Sequence, residues 1–154
     1  MKILVISDTH SCIDYAIGAL EKEKCDWCIH LGDMVRDCED LESIFPRQKF
    51  IFVKGNNDFW VNSSMFPDER FFELGGKKFF ICHGHKYGVK SSPEFLKAHA
   101  KSLGADICLF GHTHQKFLDD TCSPLMLNPG SKGNYGIIII ENGDIYAELK
   151  TEIS

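Results

Sequence analysis

The chain has 154 residues, which suits one domain, residues 1–154, with a single continuous core. Hydrophobic residues make up 44% and charged residues 25%, a balance that excludes disorder, and no apolar run nears the roughly 20 residues that span a bilayer. The net charge of −5 argues against a broad nucleic-acid surface, although bound cations can supply positive charge locally.

One pattern recurs along the chain: a short apolar run stops at residues that bind metals or turn the backbone. Residues 2–7 run into Asp8-Thr9-His10 and read as a first strand, because an acid and a histidine follow too soon for a signal peptide. Residues 13–24 have helical character, with Ile13, Ile17 and Leu20 on one face. Residues 26–31 end at Gly32-Asp33, and a second helix is expected over 38–45. Residues 49–54 end at Gly55-Asn56-Asn57-Asp58. A hairpin through Gly75-Gly76 joins 70–74 to 77–82, which ends at His83-Gly84-His85. A third helix is expected over 93–103, with Ser92 as N-cap and Pro93 in the first position. Residues 106–110 end at Gly111-His112-Thr113-His114, and 124–127 at Asn128-Pro129-Gly130-Ser131. Strands at 117–121, 124–128, 135–141 and 144–150 close the chain, the last two joined at Asn142-Gly143.

Strands that alternate with helices imply an α/β layered fold, and the later hairpins imply mixed sheets packed face to face. Ligands in such folds gather beyond the carboxyl ends of the strands. Those ends carry nearly all the Asp, Asn and His of interest, five of the seven histidines among them. Asp8 and His10 are spaced i, i+2, as are His83 and His85, and His112 and His114, so in extended chain each pair would share a face. Gly32, Gly55, Gly84 and Gly111 would let the backbone turn and approach a ligand. Carboxylate and amide oxygens with imidazole nitrogens suit Mn, Fe, Zn, Ni or Co better than a calcium cage. Asp8, His10, Asp33, Asn56, His83, His112 and His114 exceed what one ion needs, so two divalent ions are expected, Mn first, with Ni, Fe, Zn, Co and Mg as alternatives.

Of the seven cysteines, Cys82 and Cys108 sit inside apolar runs as small core residues. Cys25 and Cys28 form a C-x-x-C with no second pair at zinc spacing and read as structural. This usage fits a reducing cytoplasm. His30 and His99 read as core or surface residues, Arg36 as a solvated start of a helix, and Phe71, Phe72, Phe79 and Phe80 as core. Phe59 and Trp60 are candidates for an aromatic wall against a base or aryl group, for a plug, or for a subunit contact.

The ordered set D-x-H (Asp8, His10), G-D (Gly32, Asp33), G-N-x-D (Gly55, Asn56, Asp58), H-G-H (His83 to His85) and G-H-T-H (Gly111 to His114) resembles the calcineurin-like metallophosphoesterase superfamily. The small size and Asn128-Pro129-Gly130-Ser131 look like its YfcE-type phosphodiesterase branch. The resemblance implies a four-layer αββα sandwich with two mixed β-sheets. It implies that Asp8, His10 and His114 hold one metal, that Asn56, His83 and His112 hold the other, and that Asp33 bridges them. A hydroxide activated by the metals would attack phosphorus in a small or nucleotide-like phosphodiester. Asp33, Asn56 and His83 would then serve catalysis directly, with His85 near the substrate and Asp58 orienting a neighbour. The resemblance also admits a phosphomonoesterase, or a metal-binding scaffold like the small retromer subunit. It suggests a homodimer or tetramer, with no stable nucleic-acid partner and no membrane. One position departs from the family pattern: Asn57 stands where many members have a histidine that protonates the leaving group, and an amide cannot do so at neutral pH.

Overall fold

In the computed structural model, the described residues are 1–61 and 65–152. Their first sheet is built from β1 (Lys2–Ile6), β2 (Trp27–His30), β3 (Lys49–Phe52), β9 (Asn134–Glu141) and β10 (Asp144–Thr151), in the order β10-β9-β1-β2-β3. The second holds β4 (Glu69–Leu74), β5 (Lys77–Cys82), β6 (Ile107–Leu109), β7 (Lys116–Asp119) and β8 (Leu125–Pro129), in the order β4-β5-β6-β8-β7. Each sheet is mixed. β1, β2 and β3 run parallel, as do β5, β6 and β8, while β9, β10, β4 and β7 join as antiparallel neighbours.

Alternate residues of each buried strand point to opposite faces, and the packing follows this period. Ile3 and Val5 of β1 meet Phe79 and Ile81 of β5, Ile107 and Leu109 of β6 and Leu125 and Leu127 of β8 in one core between the sheets. Leu4 and Ile6 face the other way, onto Tyr15, Ala16, Ala19 and Leu20 of α1 (Asp14–Glu23) and Leu41 of α2 (Arg36–Ile44). Phe80, Cys108 and Met126 of the second sheet pack under Leu96 and Ala100 of α3 (Glu94–Ser102). These three clusters make the four layers, helices outside and two sheets within.

Several expectations shift on inspection. The third helix starts one residue later than the capping signal indicates: Pro93 flanks it, and Ser92 Oγ accepts the Glu94 N–H at 3.2 Å. Phe71 is not core but 48% exposed. It pairs with Phe80 on the edge strand β4, beyond the cluster that α3 covers, whereas Phe72 faces inward and stacks on Phe79 at 5.3 Å. Both predicted hairpin turns use two consecutive left-handed residues, Gly75-Gly76 and Asn142-Gly143, as the right-handed strand twist favours. Cys82, Cys108, Cys25 and Cys28 are all buried free thiols. No helix among the described residues is long and apolar enough to cross a membrane.

Candidate metal centre

The parallel strands of both sheets deliver their carboxyl ends to one seam. β1 is followed by Asp8 and His10, β2 by Asp33, β3 by Asn56, β5 by His83, and β6 by His112 and His114. The center of the cluster is a single carboxylate oxygen. Asp8 is fully buried, and three imidazole Nε2 atoms face its Oδ1, from His114 at 3.1 Å, His83 at 3.7 Å and His10 at 3.8 Å. Among the described residues that Oδ1 accepts no hydrogen bond, and the Nε2 atoms of His10 and His83 are likewise buried without a partner. Orphaned polar atoms in a protein interior call for an explanation. Here they share one point, and donor atoms of Asp8, His10, Asp33 and His114 all lie within 4.8 Å of one another. Two carboxylates and converging imidazoles form a donor set that fits a divalent transition ion.

The neighbours fix the donors. The other Asp8 oxygen, Oδ2, accepts from Ser7 Oγ at 2.6 Å and from the His112 N–H at 3.1 Å. His83 commits Nδ1 to the Leu31 carbonyl at 2.8 Å, which turns Nε2 toward Asp33 Oδ2 at 3.4 Å. Asn57 donates to both Asp33 oxygens, from its backbone N–H at 3.0 Å and its side-chain amide at 2.8 Å. Burial pushes the Asp33 carboxyl up, but the neighbouring His83 imidazole and the two hydrogen bonds from Asn57 outweigh it and hold it well below the usual range. Burial pulls His83 down, and Asp33 and Asp8 more than reverse this. His112 and His85 are both lowered, by burial first and then by the charge of His83.

The seven expected ligands do not all stand alike. Asp8, His10, Asp33, His83 and His114 are drawn together through the carboxylates. The ring of His112 lies against His83, with centroids 5.1 Å apart. Asn56 is exposed at the end of β3, between Gly55 and Asn57 of the loop that grips Asp33. His85 is in a 3-10 turn, its ring 5.6 Å from His83 and 6.1 Å from His112, with Nδ1 buried and unpartnered.

Asp58 does not face the cluster. It is fully buried, and its carboxylate accepts four backbone N–H groups, those of Asp33, Met34, Val35 and Gly55. It is a positioning residue that ties the loop after β3 to the start of α2.

The i, i+2 argument from extended chain fails at the loops. Asp8, His10, Asp33, His112 and His114, five of the seven expected ligands, have left-handed φ of 46° to 71°. Each such residue costs about 1–2 kcal/mol, so strain is concentrated where the donors converge. The glycines divide by role. Gly32 and Gly84 take φ of 100° and 109°. Gly55 and Gly111 are there for space: a Cβ at Gly55 would lie 2.1 Å from Asp33 Oδ1, and one at Gly111 2.1 Å from Ser7 Oγ and 2.8 Å from Asp8 Oδ2.

Residues beyond the motifs complete the support. Asp37 Oδ2 accepts from Thr9 Oγ1 and from the Ser11 N–H, holding the strained loop after β1. His30 is buried between Thr9 Oγ1 at 3.1 Å and the Gly32 N–H at 3.0 Å. Asn128 donates to the Gly111 carbonyl and to Thr113 Oγ1, bracing the loop after β6. The Asn128-Pro129-Gly130 string was a visible signal for the last of these. Asp37 gave none, being one of several acids along α2.

A four-layer α/β sandwich with a carboxylate–imidazole cluster at its strand ends defines the metallophosphoesterase class. The chain belongs to the calcineurin-like phosphoesterase superfamily, whose domain matches residues 1–141. It is 33% identical over 153 residues to the Bacillus subtilis protein named probable metallophosphoesterase YsnB, covering 92% of this chain and 86% of that one. It is 30% identical over 154 residues to phosphodiesterase MJ0936 of Methanocaldococcus jannaschii, covering 88% of this chain and 86% of that one. The structure of a predicted phosphoesterase from Streptococcus pneumoniae superposes with a TM-score of 0.76 at 27% identity, covering 98% of this chain and 89% of that one.

Proposed function

We propose that this protein is a phosphodiesterase that cleaves small or nucleotide-like phosphodiesters with the help of two divalent ions, Mn2+ first among them. The observation that carries the reading is the convergence of three imidazole nitrogens on the orphaned Asp8 Oδ1. Asp8, His10 and His114 would hold one ion, Asn56, His83 and His112 the other, with Asp33 shared. When bound, the ions supply Lewis-acid charge to phosphoryl oxygens and make water nucleophilic at neutral pH.

The chain's own groups set the stage for this. Asn57 fixes the plane of the Asp33 carboxylate through two hydrogen bonds. The Leu31 carbonyl fixes the ring of His83. His85, with its unpartnered Nδ1 next to His83 and His112, is placed to meet a phosphoryl oxygen. The diesterase over the monoesterase reading is supported by the phosphodiesterase name of a relative aligned along most of both chains.

The test begins with protein stripped by chelator and reconstituted with Mn2+, Ni2+, Zn2+ or Mg2+ singly. Bis-(p-nitrophenyl) phosphate and p-nitrophenyl phosphate are assayed side by side, with Asp33→Asn as the control. Metal-dependent cleavage of the diester in excess of the monoester, reduced at least about 100-fold in the variant, is the expected outcome. No turnover with any metal, despite two ions bound per chain, would leave a metal-binding scaffold instead.

A further inference from the structure

The loop that grips Asp33 continues into an aromatic shelf. Phe59 is 83% exposed, the most of any large hydrophobic side chain among the described residues, and Trp60 is 49% exposed. Neither is a plug. Asp58, immediately before them, is buried and held by four backbone N–H groups, so the root of the shelf is rigid. Two residues before Phe59 stands Asn57, whose amide lies on Asp33 at 2.8 Å, which puts the shelf within roughly 7 Å of chain from that carboxylate's partner. The Arg36 guanidinium lies 4.6 Å from the Trp60 ring centroid. Among the described residues Arg36 forms no ion pair, so its charge is available to an anion.

We propose that Phe59 and Trp60, backed by Arg36, seat the base of a nucleoside phosphodiester beside the metal centre; this rests on the phosphodiesterase reading above. Each part matches a part of that ligand. Exposed rings offer π-faces that stack on any base. The guanidinium stiffens Trp60 by cation–π contact and adds positive charge beside the shelf. A rigid root lowers the ordering cost of the contact. The shelf is also continuous with the site, where a patch for a second copy would have no need to be.

The test has two readouts on the Mn2+-loaded full-length chain. By calorimetry, adenosine 5′-monophosphate is expected to bind about ten-fold tighter than ribose 5-phosphate, an advantage lost in Phe59→Leu and Trp60→Leu and kept in Trp60→Phe. By kinetics, the ratio of KM for methyl p-nitrophenyl phosphate to that for thymidine 5′-(p-nitrophenyl phosphate) is expected to fall about ten-fold in the two Leu variants. Phe59→Leu changes an exposed side chain, so it keeps the test open if Trp60→Leu misfolds. Equal binding of the two phosphates in wild type, or a KM ratio unmoved by both Leu variants, would overturn the proposal. So would a wild-type dimer that Trp60→Leu dissociates with the ratio intact, because a second copy would then be the occupant. If neither ester turns over with any metal, the phosphodiesterase reading fails, and the calorimetry alone decides the shelf.

Discussion

Asn57 shows how one residue can narrow a reaction. Its amide is engaged with Asp33 and has no proton to give a departing alkoxide. Esters whose leaving groups depart as stable anions, such as aryl diesters, are therefore expected to be hydrolysed much faster than alkyl diesters. Restoring a titratable ring with Asn57→His should raise the alkyl-to-aryl rate ratio by about ten-fold or more. Parallel kcat/KM measurements on methyl and p-nitrophenyl diesters check this, and equal rates on both in wild type would count against it. At this scale the sequence was highly legible. Every expected ligand sits at a strand end, because the residue types that bind metals are rare in apolar runs and stand out when they end one. The backbone that aims them was not legible. Left-handed conformation at Asp8, His10, Asp33, His112 and His114 leaves no mark on a string of ordinary residues, since it is imposed by partners far away in the chain.

Among elements, the loops matter more than the strands they connect. Met34 and Asp33 are both left-handed, so the N–H groups of Asp33, Met34 and Val35 turn inward as a small nest around the Asp58 carboxylate. Removing that carboxylate leaves four donors, three of them buried, without their acceptor. Asp58→Ala is expected to cost about 3 kcal/mol of stability and to lower metal affinity. Asp58→Asn, which keeps one acceptor oxygen, should lose less, and chemical denaturation of the metal-free variants compares them. The strands and turns were read from the sequence to within one or two residues, because unbroken apolar runs and Gly-Gly or Asn-Gly pairs report local rules. The exposure of Phe71 was not, since it depends on where α3 ends its coverage of the sheet. The bracing of Thr9 by Asp37 escaped for the same reason: a contact between a loop and a helix far along the chain has no local pattern.

For the whole molecule, the buried polar layer beneath the site sets the response to acid. Burial pulls the His30 imidazole down to about 4 from an ordinary 6.5. Its Nδ1 accepts the Gly32 N–H, and a proton there would break that bond. The folded value lies below the unfolded one, so this contribution is full above pH 6.5 and is lost as pH falls toward 4, by about 3 kcal/mol at most. Melts of the chelated protein across that window should show the decline, and His30→Gln should flatten it. A slope identical in wild type and variant would assign the acid sensitivity elsewhere.

The two sheets meet across an apolar core, with a few polar contacts at its margin such as Lys116 Nζ to Thr151 Oγ1 at 3.2 Å, and apolar contacts carry no directional bond. The donors come from both: Asp8, His10, Asp33 and Asn56 from one, His83, His112 and His114 from the other. An ion gripped by both halves would act as a rivet across a greased joint, binding the native state and not the unfolded chain. Saturating Mn2+ at about 1,000 times its Kd should then add about 4 kcal/mol, raising Tm, and chelation should return it. By the same linkage, a substitution between the sheets that leaves a large fraction of the metal-free chain unfolded should lower the apparent metal affinity in proportion to that fraction, without touching a ligand.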